Sequence, residues 1–163
     1  MRRLMQSLAI AAAVFGLIAV PAAVAAEPVP IEGTFLSAGQ YDLEGEWVGQ
    51  NFVYRFTTIF GFEEGESEFV GIVDAQVTLI VHPSGALTRR YEIVPGEFNN
   101  LWLAACGERV ESTIVFMGHV APGDDTVTGS FFTIGGEGPQ VAGTFSLGPS
   151  GIWAYSGHAV CES

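Results

Sequence analysis

Apolar residues recur at every second position over long stretches of this chain. Phe52, Tyr54, Phe56, Thr58 and Phe60 fall on one face, and Val53, Arg55, Thr57 and Ile59 on the other. In the next segment Phe69, Val73, Ala75, Val77, Leu79 and Val81 share a face, with Asp74, Gln76 and Thr78 opposed. A period of two sends alternate side chains to opposite sides of an extended backbone, and one polar face marks a strand buried on one side. The same reading predicts strands over 31–36, 45–60 with a bend at Gly49, 67–81, 86–94, 101–105, 109–120, 126–134, 141–147 and 152–160. Turn-forming groups separate them: Glu63-Glu64-Gly65, Pro83-Ser84-Gly85, Pro95-Gly96, Pro122-Gly123-Asp124-Asp125, Gly135-Gly136 and Gly148-Pro149-Ser150-Gly151.

Strands at this spacing, with hardly a helical window after the N-terminal segment, predict an all-β fold. The expected architecture is a single antiparallel eight- or nine-stranded barrel, with a β-sandwich as the alternative. The longest segments, about 15 residues, suit a coiled and closed sheet. Closure also removes exposed strand edges in a chain that has no lysine to guard them. Gly-Ser/Thr-Phe at Gly33-Thr34-Phe35, Gly129-Ser130-Phe131 and Gly143-Thr144-Phe145 reads as strand bends where glycine relieves crowding beside the ring.

The N-terminal segment has a different pattern. Arg2 and Arg3 precede an apolar run over 8–20, Pro21 breaks it, and Val24-Ala25-Ala26 follows with small residues. That is the layout of a secretory signal peptide cleaved near Ala26, leaving one domain at 27–163. The run is short for a membrane span, and no cysteine near the cut offers a lipid anchor. The expected location is secreted or periplasmic. An outer-membrane barrel is not expected, because the chain ends in Cys161-Glu162-Ser163 and shows no paired aromatic girdles.

Removing the leader leaves four arginines against 18 acidic residues, a net charge of −14. Such a surface repels phosphate backbones and anionic headgroups, so nucleic acid is excluded as a partner; the charge reads first as solubility outside the cell, with a cation or a basic protein as the alternative. Cys106 and Cys161, the two cysteines, predict a disulfide in an oxidising compartment.

Candidate chemistry is sparse. No metalloprotease, nucleophile-elbow, phosphate-loop or EF-hand pattern occurs. His82, His119 and His158 stand alone in their segments; inward-facing His119 and His158 beside Asp74 would make an acid–base or metal site. Glu63, Glu64, Glu66 and Glu68, and Asp124 with Asp125, read as solvated turns, though oxygen-rich loops of this kind also suit weak Ca²⁺ binding. The pattern calls for no cofactor. Arg55 is expected outside, opposite the aromatics, and only one of Arg89 and Arg90 can face inward. Trp47, Trp102, Trp153, Tyr54 and Tyr155 supply material for an aromatic pocket or an ordinary core. A ligand site is expected at Phe52, Tyr54, Phe56, Trp153, Tyr155, His119 and His158.

The stretch Gly135-Gly136-Glu137-Gly138-Pro139-Gln140-Val141-Ala142-Gly143-Thr144-Phe145-Ser146-Leu147 resembles the late hairpin of allene-oxide-cyclase-like and dirigent-like barrels. Gly135, Gly136, Gly138, Ala142 and Gly143 fit the cadence; Pro139-Gln140 departs from it. The resemblance implies an eight-stranded barrel with an apolar cavity and carries over no catalytic residue. Gly45-Glu46-Trp47 is similar to the Gly-x-Trp of lipocalin-like barrels, displaced by one strand.

Together these features predict an exported, non-catalytic barrel that binds a small apolar or amphipathic ligand. The alternatives are an acidic interaction or inhibitor module with a protein partner, and a barrel isomerase, cyclase or lyase.

Overall fold

The computed structural model describes residues 26–36, 41–61, 67–96 and 99–162. The signal segment up to residue 25 and the acidic loop at Glu63, Glu64 and Glu66 lie outside the described residues. The strands are β1 (Val29–Leu36), β2 (Tyr41–Val48), β3 (Asn51–Phe60), β4 (Phe69–Val81), β5 (Leu87–Ile93), β6 (Trp102–Leu103), β7 (Glu108–Arg109), β8 (Thr113–Val120), β9 (Val127–Ile134), β10 (Gln140–Leu147) and β11 (Ile152–Val160).

The expected barrel is present. Antiparallel pairing runs β3-β1-β11-β10-β9-β8-β5-β4, and a β3–β4 ladder from Asn51↔Ile80 to Phe60↔Gly71 closes the ring of eight. Among the described residues, β1 meets β3 through Phe35↔Phe60 and Leu36↔Ile59. An isolated Gly33↔Ser67 bridge continues that seam toward β4.

Two expected strands are divided. The segment 45–60 is a hairpin of β2 and β3, not one bent strand. Gly49 stands at φ 65° in its tight turn, a left-handed value that glycine tolerates and side-chain-bearing residues resist. The segment 109–120 splits into β7 and β8 around Ser112. Ser112 is buried and donates to the Glu137 carbonyl at 3.1 Å.

Inside, the period-two pattern becomes a packed aromatic core. Phe35 stacks on Phe60 at 4.2 Å and on Trp153 at 4.9 Å; Phe116 stacks on Phe131 at 5.3 Å and Phe145 on Trp153 at 5.0 Å. Rings of this size fit because small residues face them. A Cβ on Gly143 would lie 2.4 Å from the Ser156 carbonyl oxygen and 2.6 Å from the Phe131 ring.

One end of the barrel is plugged by β6 and β7. They pair along β4 through Phe69↔Leu103 and Val70↔Trp102, and they bury Leu101, Leu103 and Val110. Cys106, in the turn between them, is disulfide-bonded to Cys161 just beyond β11. The bridge closes a span of 55 residues, which constrains the unfolded chain by about 4 kcal/mol in the loop-entropy picture.

Two outcomes follow for stability. Gly143→Ala lowers the thermal midpoint, with an overpacking cost of about 1–3 kcal/mol, whereas Gly148→Ala, with open space around its Cβ, leaves it nearly unchanged. Replacing both cysteines by serine lowers stability by about 2–5 kcal/mol in denaturant titration. In hydrogen exchange the loss of protection begins in the 101–110 plug.

Candidate functional site

The inner face of the β2–β3 hairpin carries a row of rings that overhangs the mouth opposite the plug. Trp47 and Phe52 are cross-strand neighbours with centroids 5.4 Å apart, and Tyr54 follows Phe52 at 6.0 Å. Gly45 makes the row possible: a Cβ there would lie 2.5 Å from the Phe52 ring. Phe52 and Tyr54 are half-buried, and Trp47 is 66% exposed. Leu79 and Arg89 continue the row in register across β4 and β5. Arg89 shares the alternation of the buried Tyr91 and Ile93, so it is the inward member of the arginine pair. Arg90 points outward and pairs with Glu92 at 3.2 Å.

Below the row, the barrel interior is closely packed among the described residues. A void of about 10 Å³ lies among Phe35, Phe56, Thr58, Phe60, Ala75, Tyr91, Ile93, Phe116 and Trp153, room for about one water. Trp153 is 1% exposed, and its indole N–H has no hydrogen-bond acceptor. Such a buried donor costs about 1–3 kcal/mol when left unsatisfied.

The expected ligand residues therefore separate into three groups. Phe52 and Tyr54 stand at the rim. Phe56, Trp153 and Tyr155 are packed into the core. His119 and His158 are exposed on the outer wall, since they alternate with buried Val120 and Ala159. Asp74 also lies outside, where it accepts from Arg55 at 2.9 Å and from the Thr57 hydroxyl at 2.6 Å. The inward His–Asp arrangement is not formed, so the residues for a lumen acid–base site are not brought together. Arg55 is outside, as its alternation requires.

Other candidates resolve into structural roles. His82 Nε2 is bonded to the Thr88 hydroxyl at 2.7 Å. Asp124 accepts from the Thr126 N–H at 3.0 Å, which makes its acidic turn self-capped. Among the described residues no group of three or more His, Cys, Asp or Glu is placed to hold a metal ion. Among the same residues no helix is long and apolar enough to cross a membrane.

Two aromatic candidates take their roles from strand pairing, which the alternation alone does not give. Trp47 belongs to the rim because Gly49 turns the chain back on itself. Tyr155 Oη accepts from the Phe69 N–H at 3.1 Å and shares a hydrogen bond with the Ser67 hydroxyl at 2.6 Å. That contact locks the start of β4 to β11. Burial pushes the Tyr155 phenol above its ordinary value, against the lowering effect of the Ser67 hydrogen bond.

Comparison of the chain with protein-family models, characterised proteins and solved structures gives no match.

Tyr155 yields a pH prediction. A phenol whose folded pKa is raised contributes stability that is present below the unfolded value of 10.0 and is lost as pH rises through the folded value. Tyr155→Phe is expected to cost about 1–3 kcal/mol at pH 7, because the Phe69 N–H loses its buried acceptor. It should also flatten the alkaline fall in stability, measured by urea titration across pH 8–11.

Proposed function

We propose that this protein is an exported, non-catalytic binding barrel whose site is the aromatic rim, and that it takes a small amphipathic ligand. The single observation that carries the reading is the Trp47–Phe52–Tyr54 row, ring faces held half-open over a barrel that is otherwise filled. Aromatic surface left in water at a concave mouth is the material from which apolar recognition is made. The packed interior acts as a rigid floor, so the apolar part of the ligand lies across the rim. Arg89, in the same inner row, favours a ligand with an anionic or strongly accepting head.

The disulfide fits an oxidising, exported location. The outward faces of β9, β10 and β11 bear exposed Thr128, Ser130, Thr144, Ser146 and Ser156 interleaved with exposed Phe132, Ile134 and Ile152. A lipid-facing wall would carry an unbroken apolar band there, so the interleaved hydroxyls favour a barrel standing in water. The eight-stranded architecture is also the one implied by the resemblance of the 135–147 hairpin to allene-oxide-cyclase-like and dirigent-like barrels.

Titration with anilinonaphthalene sulfonate, and in parallel with uncharged phenylnaphthylamine, tests the reading. Both probes are expected to bind saturably. Trp47→Ala and Phe52→Ala weaken both by about tenfold, the effect of losing one buried ring. Arg89→Gln weakens the sulfonate selectively, and Trp102→Ala, on the opposite end, changes neither. Absence of saturable binding by the wild-type protein sinks the proposal.

A further inference from the structure

His82 and His119 are separate in sequence and neighbours in the fold. Their ring centroids lie 6.4 Å apart, with the ring planes inclined at 54°. His119 stands on the outer face of β8, in register with Thr88 of β5 on one side and Thr128 of β9 on the other. His82 follows the last residue of β4, and its backbone N–H donates to the Ala86 carbonyl at 2.9 Å, which closes the β4–β5 turn. That turn lies against the β8–β9 turn: a Cβ on Gly85 would sit 4.0 Å from Pro122. Two adjoining hairpins thus each bring one imidazole to the same place on the outer wall.

The surroundings of the pair suit ligation. His82 Nε2 is hydrogen-bonded to the Thr88 hydroxyl at 2.7 Å. When one ring nitrogen donates to such a partner, the other keeps its lone pair, and metal-binding histidines are commonly oriented this way. With Nε2–H donating to Thr88, Nδ1 is the ligating atom of His82. His119 is exposed and stands between two threonines, short side chains that leave its ring room to turn. Metal–nitrogen bonds of about 2.0–2.1 Å hold two imidazole centroids about 5–6 Å apart around one ion. A small rotation of the exposed ring closes the observed pair to that spacing. Imidazole suits copper, nickel and zinc over calcium and magnesium, and copper(II) stands highest in affinity among the divalent ions. The chain's 18 acidic residues against six arginines draw cations of every kind toward the protein, so the two nitrogens supply the selection.

We infer that His82 and His119 form an open two-histidine site for a divalent transition-metal ion, copper(II) foremost. The protein gives two nitrogens, and water or an external donor completes the coordination. No third His, Cys, Asp or Glu joins them among the described residues. This goes beyond the rim reading and does not rest on it, because the pair lies on the outer wall and the aromatic row on the inner face.

The experiment is isothermal titration of the mature protein with copper(II) chloride in a buffer that does not bind metal, with pulsed EPR on the copper-loaded sample. The expected result is one copper(II) per chain held by two imidazoles. His82→Gln and His119→Gln each weaken binding by about tenfold or more, the loss of one of two chelating groups. His158→Gln, which removes an exposed histidine on β11, leaves it unchanged. Calcium chloride binds at least about tenfold more weakly than copper(II). Wild-type affinity in either His82→Gln or His119→Gln would overturn the inference, and so would an EPR signal from fewer than two imidazoles. An equal loss in His158→Gln, or calcium bound as tightly as copper(II), would also overturn it, since the attraction would then be general to the surface. Phe52→Ala keeps the two sites distinguishable: it weakens probe binding at the rim and leaves copper(II) binding as it was.

Discussion

Phe35 stands where the barrel closes, and the rest of the structure depends on what happens there. Among the described residues the β1–β3 seam is held by the pairs Phe35↔Phe60 and Leu36↔Ile59 and by the Thr58 hydroxyl, which donates to the Leu36 carbonyl at 3.1 Å. The side chains add to that ladder. Phe35 lies on Phe60 across the seam and on Trp153 across the β1–β11 pairing, with an edge contact to Phe116 at 6.1 Å. One ring therefore joins strands that are distant in sequence on both sides of the closure. Its environment is almost wholly apolar, so the driving force is area removed from water, with ring geometry fixing the fit.

Filling a barrel this way requires room at the wall. Eight strands leave an interior just wide enough for side chains, and ten or so large rings overfill it unless the facing wall is thinned. Glycines do the thinning. At Gly143 the Phe131 ring occupies the space a methyl group would take, and at Gly118 a Cβ would meet Val127 at 2.4 Å and Phe145 at 3.1 Å. The glycine-aromatic cadence of the sequence is thus one device seen from two sides, strand bend and ring socket. The plug and its disulfide finish the other end, where the Tyr155 hydroxyl binds the start of β4.

Most of the fold is legible in the period of two. Alternation places Arg55 and Asp74 outside and Phe56 inside, and the two cysteines pair as their count implies. The same rule places His119 and His158 outside, once their parity is taken from Phe116 and Tyr155 in the same strands. Reading each histidine as an isolated candidate leaves that signal unused. Other features are not local and leave no periodic mark. Gly49 reads equally as a bend or a turn, because a single glycine permits both; pairing of Trp47 with Phe52 decides it. The shortness of β6 and β7 follows from their packing on β4, where Leu103 is fully buried, and not from any property of the Leu101-Trp102-Leu103 stretch. The inward turn of Arg89 rests on parity with Tyr91, which sequence supplies, but its position beside the rim rests on strand register, which sequence does not.

A filled, closed barrel restricts where recognition can occur. With a void of about 10 Å³ inside, binding in the lumen would require displaced rings, and the stacked contacts around Phe35 and Trp153 oppose that. What remains is surface that closure leaves over. Strand β2, which lies on the same edge of β3 as β1, is that surplus. With β3 it presents the aromatic shelf, Trp47 lying beside Phe52 and Phe52 beside Tyr54. Anything lying on those rings would hold β2 in line with β3. A packed core with one added strand therefore concentrates apolar recognition at the rings that packing leaves half-open.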